Sequence, residues 1–170
     1  MVEYDKVYDE KVKFAGVFDF KELYRIAYSW LTDAEYWIEE RKYSEKITPN
    51  GKEVNIMWFA RRKISDYFRF QFKIEWTILK MTAVEITDEE GNKLKMNKGD
   101  LEIKITAIIE KDYENRWEAN AFFKFIRGTY DRFVVRNRIE QYEDKIVEEL
   151  VDYVATLKSF LNIEARRLGA

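Results

Sequence analysis

Residues 138–163 read RIEQYEDKIVEELVDYVATLKSFLNI. Apolar residues recur at Ile139, Tyr142, Ile146, Leu150, Tyr153, Leu157 and Phe160 or Leu161. Steps of three and four trace one face of a helix. The positions between are mostly charged, among them Glu140, Glu143, Asp144, Glu148, Glu149 and Asp152. The spacing predicts a helix of about seven turns with one dry face. An isolated helix does not hold such a face in water, so something upstream must cover it.

Upstream, the period is two. Phe68, Phe70, Phe72, Ile74, Trp76 and Ile78 alternate with Arg69, Gln71, Lys73, Glu75 and Thr77. That pattern fixes a strand and its register, because a slip of one residue would exchange core for solvent. Leu101, Ile103, Ile105, Ala107 and Ile109 repeat it, as do Val54, Ile56, Trp58 and Ala60 within Glu53–Ile64. Val12 and Phe14 alternate with Lys11 and Lys13 in a first strand, Glu10–Phe18, after a polar lead-in over residues 1–9. A charged stretch, Ala34–Ile47, carries Trp37, Tyr43 and Ile47 at even spacing and reads as a strand with one wet face. Short strands are expected at Ala83–Thr87 and Lys93–Asn97.

Turn chemistry separates these segments. Thr48–Lys52 holds the only Pro, followed by Asn-Gly, and predicts a tight hairpin. Ser65-Asp66, Asp88–Asn92 and Lys98-Gly99-Asp100 read as further turns. Asp19 suits the N-cap of a short helix facing inward through Leu23, Ile26 or Ala27, and Trp30 or Leu31. After Asn120, a plausible cap, Phe122, Ile126, Tyr130 and Phe133 step by four, four and three. This reads as a helix over Ala121–Val134 despite Gly128. The alternative is a last strand through Phe123 and Phe125, whose alternation breaks at Arg127.

The expectation is one α+β domain over residues 1–170. A curved antiparallel sheet of five to seven strands wraps around the long C-terminal helix, with two shorter helices.

Composition narrows the chemistry. The chain has 170 residues, 46% hydrophobic and 36% charged, with net charge −2, so it is globular and an improbable bulk partner for nucleic acid. It has no Cys and no His. Disulfides, thiolate nucleophiles, Ser-His triads and the commonest metal ligand are thereby excluded. The Gly residues are scattered, giving no phosphate-binding loop. Ser29, Ser44 and Ser65 have no supporting pattern, and the carboxylate pairs Glu39-Glu40, Glu89-Glu90 and Glu148-Glu149 read as solvated faces and turns. Asp88–Asn92 lacks the spacing of a Ca²⁺ loop. No cofactor and no metal is expected. The charged N-terminus and the lack of a long apolar run suggest a cytoplasmic protein with at most peripheral membrane contact. Abundant Glu, Lys and Arg fit a heat-adapted source.

The order of elements resembles the helix-grip superfamily of START-like and Bet v 1-like domains, at the level of topology. The resemblance implies a cavity for an apolar ligand between sheet and C-terminal helix. Two departures are visible: one helix follows the first strand where the family commonly has two, and the glycine-rich loop is absent. The sequence also looks like small archaeal proteins of uncharacterised activity.

Two surfaces are candidates. Trp58, Phe72 and Trp76 on the sheet, with Tyr142 and Tyr153 on the long helix, offer large apolar areas with polar handles. They would border a site for a small apolar or amphipathic ligand, making the chain a non-enzymatic binding protein. Separately, Lys124, Arg127, Arg132, Arg136 and Arg138 face only Asp131 in charge, amid Phe122, Phe123, Phe125 and Ile126. The alternative is therefore a protein-interaction module with a filled core, using this basic aromatic helix or a sheet edge toward a partner protein or a second copy. Arg61-Arg62-Lys63 reads as an exposed strand end.

Overall fold

The computed structural model describes residues 2–115, 121–133 and 136–167. Five antiparallel strands and three helices make up these residues: β1 (Glu3–Phe18), α1 (Phe20–Asp33), β2 (Trp37–Thr48), β3 (Gly51–Lys63), β4 (Phe68–Thr87), β5 (Lys93–Lys111), α2 (Ala121–Phe133) and α3 (Arg136–Arg167). The sheet order is β1-β5-β4-β3-β2. The expected α+β architecture is what the chain adopts. The Asn120 cap and the bend at 135 lie outside the described residues.

Parity along the strands decides which face is dry. Ile56 pairs with Trp76, Trp58 with Ile74, and Ile74 with Ile105, so the alternating apolar sets of β3, β4 and β5 line up on one face. Val54, Trp58, Phe70, Phe72, Ile74, Ile78, Ile103 and Ile105 are fully buried there. Helix α3 lies on this face, chiefly along β1 and β5, and presents Ile146, Leu150, Tyr153, Leu157 and Leu161 to it. Helix α1 shares the face and meets both α3 and β2. Asp19 caps α1 by accepting from the Glu22 N–H at 3.1 Å, and Leu23, Ala27 and Leu31 are its buried stripe.

Several boundaries differ from the sequence expectation. Strand β1 begins at Glu3, because a bulge between Lys6 and Tyr8 lets the polar lead-in pair with β5. A second bulge, between Glu40 and Lys42, reverses parity in β2. Trp37, opposite Arg61, is thereby placed on the other face from Tyr43, opposite Ile56. Trp37, Tyr43 and Ile47 are all exposed, so β2 has no common dry face. The stretches at Ala83–Thr87 and Lys93–Asn97 are the far halves of β4 and β5.

Lys98-Gly99-Asp100 is not a turn; it is the middle of β5. Gly99 serves a close approach instead. A Cβ there would lie 2.9 Å from the Leu79 carbonyl oxygen, and one on Gly51 would lie 2.8 Å from the Lys80 carbonyl carbon. Both glycines crowd the irregularity in β4 between Leu79 and Thr82, where Lys80 has a φ of +55°. Beyond this pinch β3 ends its pairing at Met81, and β4 and β5 continue as a ribbon to the hairpin at Asp88–Asn92.

Leu150 lies fully buried in the middle of the α3 stripe. Leu150→Ala should destabilise the protein by about 2–5 kcal/mol. Glu148→Ala, on the exposed side of the same turn, should stay within about 0.5 kcal/mol. Equal shifts of the two in urea unfolding would mean that α3 buries a different face.

Candidate functional site

The five candidate aromatic residues lie along the interface of sheet and helices, and each meets another aromatic ring. Trp58 and Trp76 sit with ring centroids 5.3 Å apart. Tyr24 of α1 meets both rings, at 4.9 and 6.1 Å, and Phe20 meets Trp76 at 6.4 Å. Phe72 stacks on Tyr36 at 4.9 Å, Tyr153 lies 4.8 Å from Trp30, and half-buried Tyr142 contacts Phe68 and Phe70. The structure thus gathers Trp58 and Trp76 into one cluster. It places Phe72, Tyr142 and Tyr153 in separate ring contacts along the same interface. Four depressions of about 340–550 Å³ on the described surface are lined by other side chains.

Polar handles fix these rings. The Trp58 indole N–H donates to Glu40 at 2.8 Å, and the Tyr24 hydroxyl donates to the same carboxylate oxygen at 2.6 Å. One edge-strand carboxylate therefore ties α1 to β3. The Tyr153 hydroxyl donates to the Ala27 carbonyl at 3.3 Å, joining α3 to α1. The Trp76 N–H is buried without a hydrogen-bond partner.

Arg62 overturns the reading of Arg61-Arg62-Lys63 as a merely exposed strand end. Its guanidinium donates to Glu149 at 2.5 Å and to the Ala34 carbonyl at 2.8 Å. It also lies over the Tyr36 ring at 4.7 Å, and the Tyr36 hydroxyl donates to Glu149 at 2.5 Å. Glu149 is therefore the anchor of α3 to the end of β3, not a solvated helix residue. On the opposite sheet face, fully buried Glu110 accepts from Arg69, while Arg61 donates to Gln71 at 2.7 Å and to Glu39 at 2.9 Å. Neither arrangement announces itself in sequence. Arg62 and Glu149 are 87 residues apart, and no local spacing relates them.

Burial pushes the Tyr36, Tyr24 and Tyr153 hydroxyls above their ordinary range; the nearby carboxylates Glu149 and Glu40 add to the rise for the first two. Tyr43, next to Glu45, is pushed up to about 12, again first by burial. These groups suit hydrogen-bond donation, and none is activated as a base or nucleophile at neutral pH.

The basic aromatic segment is a helix, α2, as expected. Phe122 and Phe125 are 65% and 73% exposed, and Lys124, Arg132 and Arg136 are exposed beside them. Arg136 reaches Glu140 only at 4.0 Å. The Arg127 side chain lies outside the described residues. No protein-family model, curated protein or solved structure matches the chain. Function is therefore argued from geometry. Among the described residues no helix is long and apolar enough to cross a membrane, and no cluster of acidic side chains is arranged for a metal ion.

Two outcomes follow. Glu149→Ala should cost about 1–3 kcal/mol, since it strands the Arg62 guanidinium and the Tyr36 hydroxyl. A cost below about 0.5 kcal/mol in a denaturant titration would reduce the Arg62 contact to a surface pair. Stability should also fall as pH rises above about 10, the unfolded tyrosine value. Unfolded tyrosines then release protons that the folded Tyr24, Tyr36 and Tyr153 retain. Stability that stays level from pH 9 to 11 would contradict this.

Proposed function

We propose that the chain acts by binding, and that its binding surface is α2 with the first turn of α3. The observation that carries this is the pair Phe122 and Phe125, left exposed on a helix that also displays Lys124 and Arg132. Large apolar side chains rimmed by one sign of charge mark an interaction surface. The partner that the charges favour is a second copy of this chain. The outward side of α3 offers a shallow depression of about 420 Å³ lined by Glu148, Glu149, Val151, Asp152 and Ala155. Val151, 49% exposed, and Ala155 give an apolar seat for a Phe ring, and Glu148 and Asp152 give opposite charge to Lys124 and Arg132.

The sheet edges suit this role less. Edge strand β2 carries Glu39, Glu40, Arg41 and Lys42 around its bulge, and β1 carries Lys6, Lys11 and Lys13 near its own. Charges and bulges on edge strands discourage pairing with another chain.

A second reading rests on the unpartnered Trp76 N–H. The helix-grip kinship supported by the element order goes with an amphipathic ligand whose acceptor atom takes that N–H between Trp58, Trp76 and α1. Such a ligand must part rings that touch, which ranks this reading second. Native mass spectrometry of the purified chain separates the two, since it reports retained ligand and subunit count together.

Self-association should be concentration-dependent in sedimentation and weaken as salt rises. Phe125→Ser and Arg132→Glu should each shift the protein toward monomer, and mixing Arg132→Glu with Asp152→Lys chains should restore mixed dimers. A chain that stays monomeric at every concentration and binds anionic vesicles through α2 would replace the second copy with a membrane surface.

A further inference from the structure

The sheet face turned away from α1 and α3 is mostly charged, and an exception lies beside the pinch. Along β4 the outward positions run Arg69, Gln71, Lys73, Glu75 and Thr77, and then Leu79, which is 41% exposed. Register places Thr77, Glu102 and Lys13 in one row across β4, β5 and β1, and Leu79, Asp100 and Ala15 in the next. All six line a depression of about 410 Å³. A single exposed Leu is ordinary. A Leu and an Ala lining a concavity of this size, with charges of both signs beside them, have the outline of a small-molecule site.

The charges are loosely held. Lys11 lies 3.2 Å from Glu102, so Lys13, at 3.7 Å, is a second and more distant cation on the same carboxylate. Asp100 reaches Lys80 only at 3.8 Å, and both side chains are more than half exposed. Ion pairs this long and this wet contribute little, so Lys13 and Asp100 can turn to a ligand at small cost. The two are diagonal neighbours across β1 and β5, about 7–8 Å apart along the sheet. We infer that this depression binds a free α-amino acid with an apolar side chain. Its ammonium donates to Asp100, its carboxylate accepts from Lys13, and its side chain lies on Leu79 and Ala15. All three parts of the ligand are needed. A carboxylate without the amine would face Asp100 and Glu102 unpaired, an amine without the carboxylate would face Lys13, and glycine would leave Leu79 in water. The site is on the opposite sheet face from the Trp58 and Trp76 rings and uses no residue of α2, so it stands whether or not the chain self-associates.

The test is calorimetric titration of the full chain with L-leucine at neutral pH, with 4-methylpentanoate, 3-methylbutylamine and glycine as parallel probes. Each probe lacks one of the three contacts. The expected result is one site of millimolar affinity or tighter for leucine, and binding weaker by about tenfold or more for each probe. Asp100→Asn and Lys13→Gln each keep the shape and remove one charge, and each should weaken leucine binding about tenfold. Both side chains are exposed, so these variants should keep the native thermal midpoint. Ala15→Phe sets a ring in the seat and should abolish binding. Lys46→Gln, exposed on β2 of the same face, should bind as the native chain does. A native chain that binds no leucine overturns the proposal. So does glycine that binds as tightly as leucine, or leucine binding that is unchanged in both Asp100→Asn and Lys13→Gln.

Discussion

Everything in this molecule follows from a single dry sheet face that needs a cover. Phe70, Phe72, Ile74, Trp76, Ile103 and Ile105 point the same way because β-strand side chains alternate, and antiparallel pairing keeps the alternation in step across β3, β4 and β5. One helix does not cover five strands. The chain supplies two, α3 along β1 and β5 and α1 toward β2. The seam between them is where aromatic rings accumulate, since wide flat groups fill the gap that two cylinders leave on a sheet. Glu40, Glu149 and the Ala27 carbonyl answer the polar tips of Tyr24, Trp58, Tyr36 and Tyr153, while the Trp76 N–H stays without a partner.

This division explains what could be read from the sequence. The α3 stripe and the β4 alternation are local periodicities, and they specified fold class, the buried face and the Asp19 cap. Periodicity fails where the backbone slips a residue. The Glu40–Lys42 bulge changed the face of Trp37, and the irregularity at Leu79–Thr82 let one long strand look like two. It fails again where a residue type has two uses. Gly99 resembles a turn residue but makes room for a neighbouring strand.

The candidate sites were less legible, for a related reason. Trp58, Phe72, Trp76 and Tyr153 were identifiable as buried aromatics, with Tyr142 half-buried beside them, but spacing cannot distinguish the wall of a cavity from rings that fill one. Charged residues were harder. Glu149 and Glu148 are adjacent in sequence and alike in chemistry, and only the arrival of Arg62 from a distant strand sets them apart. The charges of α2 were visible because they are unbalanced within one short segment. Imbalance is a local property, whereas pairing is not.

The pinch formed by Gly51, Lys80 and Gly99 has a practical meaning. Side of it toward α3, three or more strands share every hydrogen-bonding row and two helices lie on top. Past it, the ribbon of β4 and β5 leads to a hairpin whose Asp88–Asn92 tip is exposed and closed by its own hydrogen bonds. At the pinch itself main chain approaches main chain, since neither glycine carries a side chain. Loosening at the tip has little leverage on the packed body, since local opening follows the density of buried contacts. The hairpin is thus a natural handle: a fluorophore, an affinity peptide or a split-reporter fragment spliced between Glu89 and Gly91 would ride on the protein without entering its core.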